Sequence, residues 1–171
     1  VVVLKLAHAG LLVIVKRRLV LSGSLTVGRN QYAEPTYTQL AGFPEIARRF
    51  LVFAHDAIRD EGYFLHKYNP DGSPAPLWQP WVRDGQPQLP IQEDETALVL
   101  WLVARHYRRT RDLDLLRVVY PRLVVAAADF LAGFRDPDTG LPRPSFDLWE
   151  ERQGVFTFTC AAVWAGLTAA A

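Results

Sequence analysis

The stretch Ala97-Leu98-Val99-Leu100-Trp101-Leu102-Val103-Ala104 is apolar without a break. Glu93, Asp94 and Glu95 stand just before it, and Arg105, Arg108 and Arg109 just after. Acids at the start and bases at the end complement a helix dipole, so the run reads as a helix. Its middle is apolar on every side, and such a helix must be buried on every side. It is an inner element, and the rest of the chain has to supply its cover.

Working outward, Gly42-Phe43-Pro44-Glu45 starts an upstream helix, with Pro and an acid in the first turn. Ile46, Phe50, Phe53, Ala54, Ala57 and Ile58 recur there at helical spacing, with Arg48, Arg49, Asp56, Arg59 and Asp60 on the wet face. Downstream, Pro121 to about Phe134 reads as a third helix. A fourth, from near Phe156, is apolar throughout and rich in small residues. No strand pairing is expected between residues 42 and 171, so the class is all-α. Alternating half-wet and buried helices suggest an inner ring covered by an outer one. Four or five helices do not close such a ring, and no capping residue follows Ala169-Ala170-Ala171, so the chain is expected to be truncated inside a helix. Two long connections, 62–92 and 135–155, hold most of the Pro, Gly and Trp; loops of that length inside a compact unit usually carry function.

Composition narrows the partners. With 19 Lys and Arg against 18 Asp and Glu in 171 residues, the chain lacks the basic patch needed to follow a nucleic-acid backbone. Cys160 is the single cysteine, which excludes an internal disulfide and favours a reducing, cytoplasmic setting. No Cys/His spacing suggests a metal, and His8, His55, His66 and His106 read as structural or solvated. The opening VVVLKLAHAGLLVIVKRRLVL is broken by Lys5 and His8 and closed by Lys16, Arg17 and Arg18, so it is too short to span a membrane. Its charges follow the apolar core, the reverse of a signal peptide. A buried helical turn and a strand are expected there.

The segment Leu141-Pro142-Arg143-Pro144-Ser145-Phe146-Asp147-Leu148-Trp149-Glu150-Glu151-Arg152 is the richest in chemistry. A carboxyl packed against an indole and a second carboxylate tends to hold its proton, as the acid of a glycoside-cleaving enzyme must. The same residues fit an acidic helix start, since Asp147 and Glu150 have capping-box spacing. Glu93, Asp94 and Glu95 either point into a site or cap their helix. Tyr63, His66, Tyr68, Trp78, Trp81, Arg83 and Asp84 in the first loop suit sugar rings, or pin the loop to the helices.

Taken in order, AGFPEIARRF, EGYFLHKYNPDGS, WVRDGQPQLPIQEDETALVLW and RDPDTGLPRPSFDLWEERQGVFTFT, with the alanine-rich helix after them, resemble the bacterial and archaeal branch of glycoside hydrolase family 15. That branch holds glucoamylases with their trehalase and glucodextranase relatives. The resemblance covers residues 41–171 and implies part of a catalytic domain whose C-terminal part is missing, built as an (α/α)6 toroid; residues 1–40 form a divergent, weakly matched segment. It implies release of a terminal α-linked glucose from an oligosaccharide or disaccharide, with inversion, and no metal or organic cofactor. Glu150 would be the general acid. Trp149 and Glu151 would line the sugar subsites, Asp147 would support the acid, and Asp94 is a weaker binding candidate. The second carboxylate would come from beyond Ala171. The family's Trp-Pro-Arg-Asp segment corresponds to Val27-Gly28-Arg29-Asn30, where Arg29 matches and Asn30 replaces a sugar-gripping Asp. The alternatives are a non-catalytic carbohydrate-binding relative and a helical scaffold with no sugar role.

Overall fold

The computed structural model describes residues 25–26, 42–69, 71–76, 80–89, 91–147 and 150–171; Arg29, Asn30, Trp78, Trp149 and the apolar opening stretch lie outside them. The described chain is predominantly helical. Helix α1 spans Pro44–Ala57, with Pro44 and Glu45 in its first turn and Ala47, Leu51, Ala54 and Ala57 buried along one stripe. Helix α2 spans Glu93–Thr110 and is buried from its first residue, the three acids included. It stops at Arg111, which takes the left-handed conformation (φ 56°). Asp112 then caps the next helix by accepting from the Leu115 amide at 2.9 Å, and accepts from Arg48 of α1 at 2.9 Å.

The third helix corrects the sequence reading. It begins at Leu113, not Pro121: α3 (Leu113–Val119) runs through a π-helical turn, Tyr120–Val125, into α4 (Ala126–Gly133). A proline has no amide hydrogen and its ring crowds the preceding turn, and a widened turn relieves both problems without ending the helix. Helix α5 spans Thr157–Ala170. All five helices and the first loop feed one core, in which Leu51, Phe64, Leu102, Leu123, Leu131 and Val163 meet.

The closest helix pair is α2 and α5. Thr159 meets Asp94 near the start of both helices, and Gly166, about two turns on in α5, lies against the backbone of Ala97, about one turn on in α2. Both pairs advance in the same direction, so the helices run parallel with their N-termini at one end. Parts of the α5 surface have no such cover among the described residues: Trp164 is 70% exposed, and Phe158 is also exposed.

The expected absence of strands is also corrected. β1 (Leu25–Thr26) pairs with β2 (Lys67–Tyr68), β3 (Val82–Arg83) with β4 (Gln86–Pro87), and β5 (Ser145–Phe146) with β6 (Gln153–Gly154), all antiparallel. Strands of two residues are too short for alternating hydrophobicity to show. Their visible signal is the turn: Asp84-Gly85, both at positive φ, forms the two-residue loop that joins β3 to β4.

The α2–α5 contact is testable. A Cβ built on Gly166 would lie 2.5 Å from the carbonyl oxygen of Ala97, which is backbone and cannot swing aside. Gly166→Ala should therefore destabilise the fold by roughly 1–3 kcal/mol. Gly133→Ala, where a Cβ meets nothing within 4 Å, should be neutral or stabilising by up to about 1 kcal/mol. Urea unfolding of the two variants reads the difference, and equal stabilities would refute the packing described.

Candidate active site

The two long loops meet over the N-termini of α2 and α5. The first is anchored where Gly62 (φ 90°) passes so close to the Ala126 carbonyl that no side chain fits. Beyond it the Phe64 amide donates to Thr96 Oγ1 at 3.2 Å and the Leu65 amide to Tyr68 Oη at 2.8 Å. Burial pushes the Tyr68 hydroxyl up to about 12, which keeps it a neutral strut. These bonds fix the backbone on either side of His66.

The second loop is a hairpin closed by Asp147. Its amide donates to the Arg152 carbonyl at 2.8 Å, and its Oδ1 accepts from the Glu151 amide at 2.9 Å and the Arg152 amide at 3.3 Å. Its carbonyl accepts from the Glu150 amide at 3.0 Å. Glu150 itself sits at φ 56°, a left-handed conformation that non-glycine residues adopt only where the surroundings hold them. Gln92, just before α2, ties this loop down by donating to the carbonyls of Phe146 (3.0 Å) and Asp147 (2.8 Å).

Together these constraints produce a buried chain of three titratable groups. His66 Nδ1 lies 2.8 Å from Glu95 Oε1, and His66 Nε2 lies 2.9 Å from Glu150 Oε1. Glu95 is 1% exposed and the Glu150 side chain 12%. Burial pushes the Glu95 carboxyl up to about 8, and only part of that is offset by His66. Burial pulls the His66 imidazole down, but Glu95 and then Glu150 outweigh it and leave the ring above its usual value. The Trp81 ring packs against His66 (centroids 5.4 Å apart) and against Phe146 (4.7 Å), closing a third side.

The three acids of α2 have separate surroundings. Asp94 Oδ1 accepts from Thr159 of α5 at 3.2 Å, and Glu95 faces His66. Glu93 borders a cavity of about 290 Å³ walled by Trp81, Phe134, Phe146 and Ser145. Neither Glu93 oxygen has a hydrogen-bond partner, and the Ser145 hydroxyl faces it without bonding geometry; burial pushes this carboxyl up to about 7. Gln92, the residue before the helix, makes no side-chain capping bond.

Two sequence expectations change here. His66 is neither a plain structural residue nor a solvated one; it lies between two carboxylates from separate parts of the chain. Nothing in the local sequence marks it, because its partners are 29 and 84 positions away and only the fold adds them. The acidic-helix-start reading of Asp147 and Glu150 also fails, since these residues form a hairpin and α5 begins at Thr157. Asp147 and Glu150 come together as one unit, while Glu151 is exposed and joins it through its backbone. Trp149 and Arg29 lie outside the described residues. Tyr63, Tyr68 and Trp81 are buried, which fits loop pinning. Among the described residues no group of three or more His, Cys, Asp or Glu is arranged to hold a metal ion, and no helix is long and apolar enough to cross a membrane.

Over 131 residues, 77% of its length, the chain is 39% identical to an uncharacterized glycosyl hydrolase of Methanocaldococcus jannaschii. It spans 18% of the length of that relative. No family model and no solved structure matches the chain.

The state of Glu93 gives a pH prediction with a definite sign. Its carboxyl is raised from 4.5 to about 7, so between those values the folded protein binds more protons than the unfolded one. Stability should therefore fall as pH rises through this window. Glu93→Gln should lessen the fall, the remainder coming from Glu95, and be more stable than the parent at pH 8, by up to about 3 kcal/mol, while matching it near pH 4. Denaturant titrations across pH 4–8 measure this, and parallel curves would show that Glu93 ionises without hindrance.

Proposed function

We propose that this chain is part of an inverting glycoside hydrolase of family 15, of the glucoamylase and trehalase kind, which releases glucose from the end of an α-linked oligosaccharide or disaccharide. Residues 41–171 form part of its catalytic domain, an (α/α)6 toroid. The parallel α2–α5 pair, with both chemistry-bearing loops gathered over its N-terminal end, supports that architecture. The name of the Methanocaldococcus jannaschii relative supports glycoside hydrolysis in general, and the DLWEE motif supports the family.

Glu150 is the general acid. The observation that carries this reading is its placement: a mostly buried carboxyl at a strained loop position, held 2.9 Å from a buried imidazole. In the reaction Glu150 gives its proton to the glycosidic oxygen as the bond to the anomeric carbon breaks. A water activated by a second carboxylate, about 6.5–9.5 Å away, attacks the opposite face. Glu95 is unsuited to that second role, because it is sealed behind His66 where no water reaches it. The base comes from outside these residues. Trp149 and Glu151 shape the sugar site, Asp147 builds the turn that presents the acid, and Arg29 and Asp94 contribute more weakly.

The test is Glu150→Gln in the full-length protein, assayed for glucose release from maltose and trehalose. Loss of a general acid should lower kcat by about 10²- to 10⁴-fold. Retention of more than about a tenth of the activity would overturn the assignment. Saccharide binding without turnover in the unaltered full-length protein would favour the non-catalytic relative that Asn30 suggests.

A further inference from the structure

Each ring nitrogen of His66 faces one carboxylate oxygen at hydrogen-bond distance, and each of those two contacts needs one proton to become a bond. Glu95 from α2 and Glu150 from the second loop face the ring; Trp81 covers it from the first loop, and Asp94, next to Glu95, accepts from Thr159 of α5. An orienting partner on the far nitrogen fixes which tautomer an imidazole presents on the near one. A buried carboxyl behind a histidine that contacts a reactive group is the arrangement by which one side chain sets the protonation and direction of another.

We propose that His66 is the positioning residue of Glu150 and that Glu95 acts through it as a buried proton reserve. This rests on the reading of Glu150 as general acid. Before reaction, protonated Glu95 donates to Nδ1 of a neutral imidazole, and Nε2–H donates to Glu150 Oε1. The contact with Nε2 thereby fixes the direction in which Glu150 presents its acid proton. When that proton goes to the glycosidic oxygen, which takes the electron pair of the breaking C–O bond, Glu150 becomes a carboxylate. The Glu95 proton then moves to Nδ1, and an imidazolium faces the new charge. Two protons remain in the two hydrogen bonds, and one has left with the alcohol. Solvent returns the missing proton to Glu150, and the proton on Nδ1 goes back to Glu95. The proton shared between Glu95 and Nδ1 is the one this sequence draws on.

Two measurements test the proposal. In the 15N-histidine-labelled protein, without substrate, NMR should show His66 Nε2 carrying a proton near neutral pH. Both of its ring-nitrogen signals should shift when Glu150→Gln or Glu95→Gln is introduced. In the full-length protein, His66→Phe should lower kcat by roughly 10- to 100-fold with KM within about twofold, because the acid is misplaced rather than the sugar lost. Glu95→Gln should behave differently: its amide can still donate to Nδ1 and hold the tautomer but cannot release a proton. It should keep KM, lower kcat less than His66→Phe, and move the alkaline limb of the kcat profile. His66→Gln, which retains an N–H donor, should recover part of the His66→Phe loss. A His66 spectrum indifferent to Glu150→Gln would overturn the bridge. Unchanged kcat and pH profile in folded His66→Phe and Glu95→Gln proteins would overturn the positioning role. If activity survives Glu150→Gln while the NMR shifts occur, the general-acid reading fails, and the positioning role falls with it while the bridge stands. The spectra thus separate the two failures.

Discussion

Burying the charged end of an apolar helix constrains much of the rest of this structure. Helix α2 has Glu93, Asp94 and Glu95 in its first turn, and none of them reaches bulk water. A buried carboxyl must be paired, protonated or both. Asp94 is met by Thr159 of α5, Glu95 by His66 of the first loop, and Glu93 holds its proton more tightly beside a small cavity. Each solution recruits a different part of the chain to the same end of the molecule. The demand of one helical turn thus gathers a neighbouring helix and a long loop into one place.

The loops are held to α2 and to each other by a small set of directional contacts. Gln92 donates to two successive carbonyls of the second loop. Trp81 lies between His66 and Phe146 and so joins the loops through ring contacts. Asp147 bonds to the backbone of Glu150, Glu151 and Arg152, and Glu150 takes a conformation that a free chain would avoid. Polar and aromatic contacts of this kind permit little sliding and hold the Glu150 carboxyl in one place. Hydrophobic packing lies below, where Gly62 and Gly166 permit close approach of backbone to backbone.

How much of this the sequence made legible varied with the range of the interaction. The helices α1, α2 and α5 were legible, because dipole-ordered charge, helical spacing and an apolar run are local signals. The start of α3 was not: Pro121 looked like a beginning, whereas a π-helical turn absorbs it within a longer helix. The strand pairs were too short to alternate, although Asp84-Gly85 marked one turn. In the site, Glu150 and Asp147 stood out through their crowding with an aromatic and a second acid. Their arrangement did not, since the same spacing fits a helix cap and a hairpin equally well.

By itself the sequence marked which helix is central, that two long connections gather the aromatic and acidic residues, and that paired acids crowd an aromatic in the second loop. These follow from composition and spacing within about twenty residues. Only the tertiary structure decided that His66 is part of the site, that Glu95 stands behind it, and that Asp94 turns toward α5. Those pairings join residues 29 to 84 positions apart. A hydrogen bond is specified by about three ångströms of space, and sequence separation has no bearing on that distance until the chain has folded.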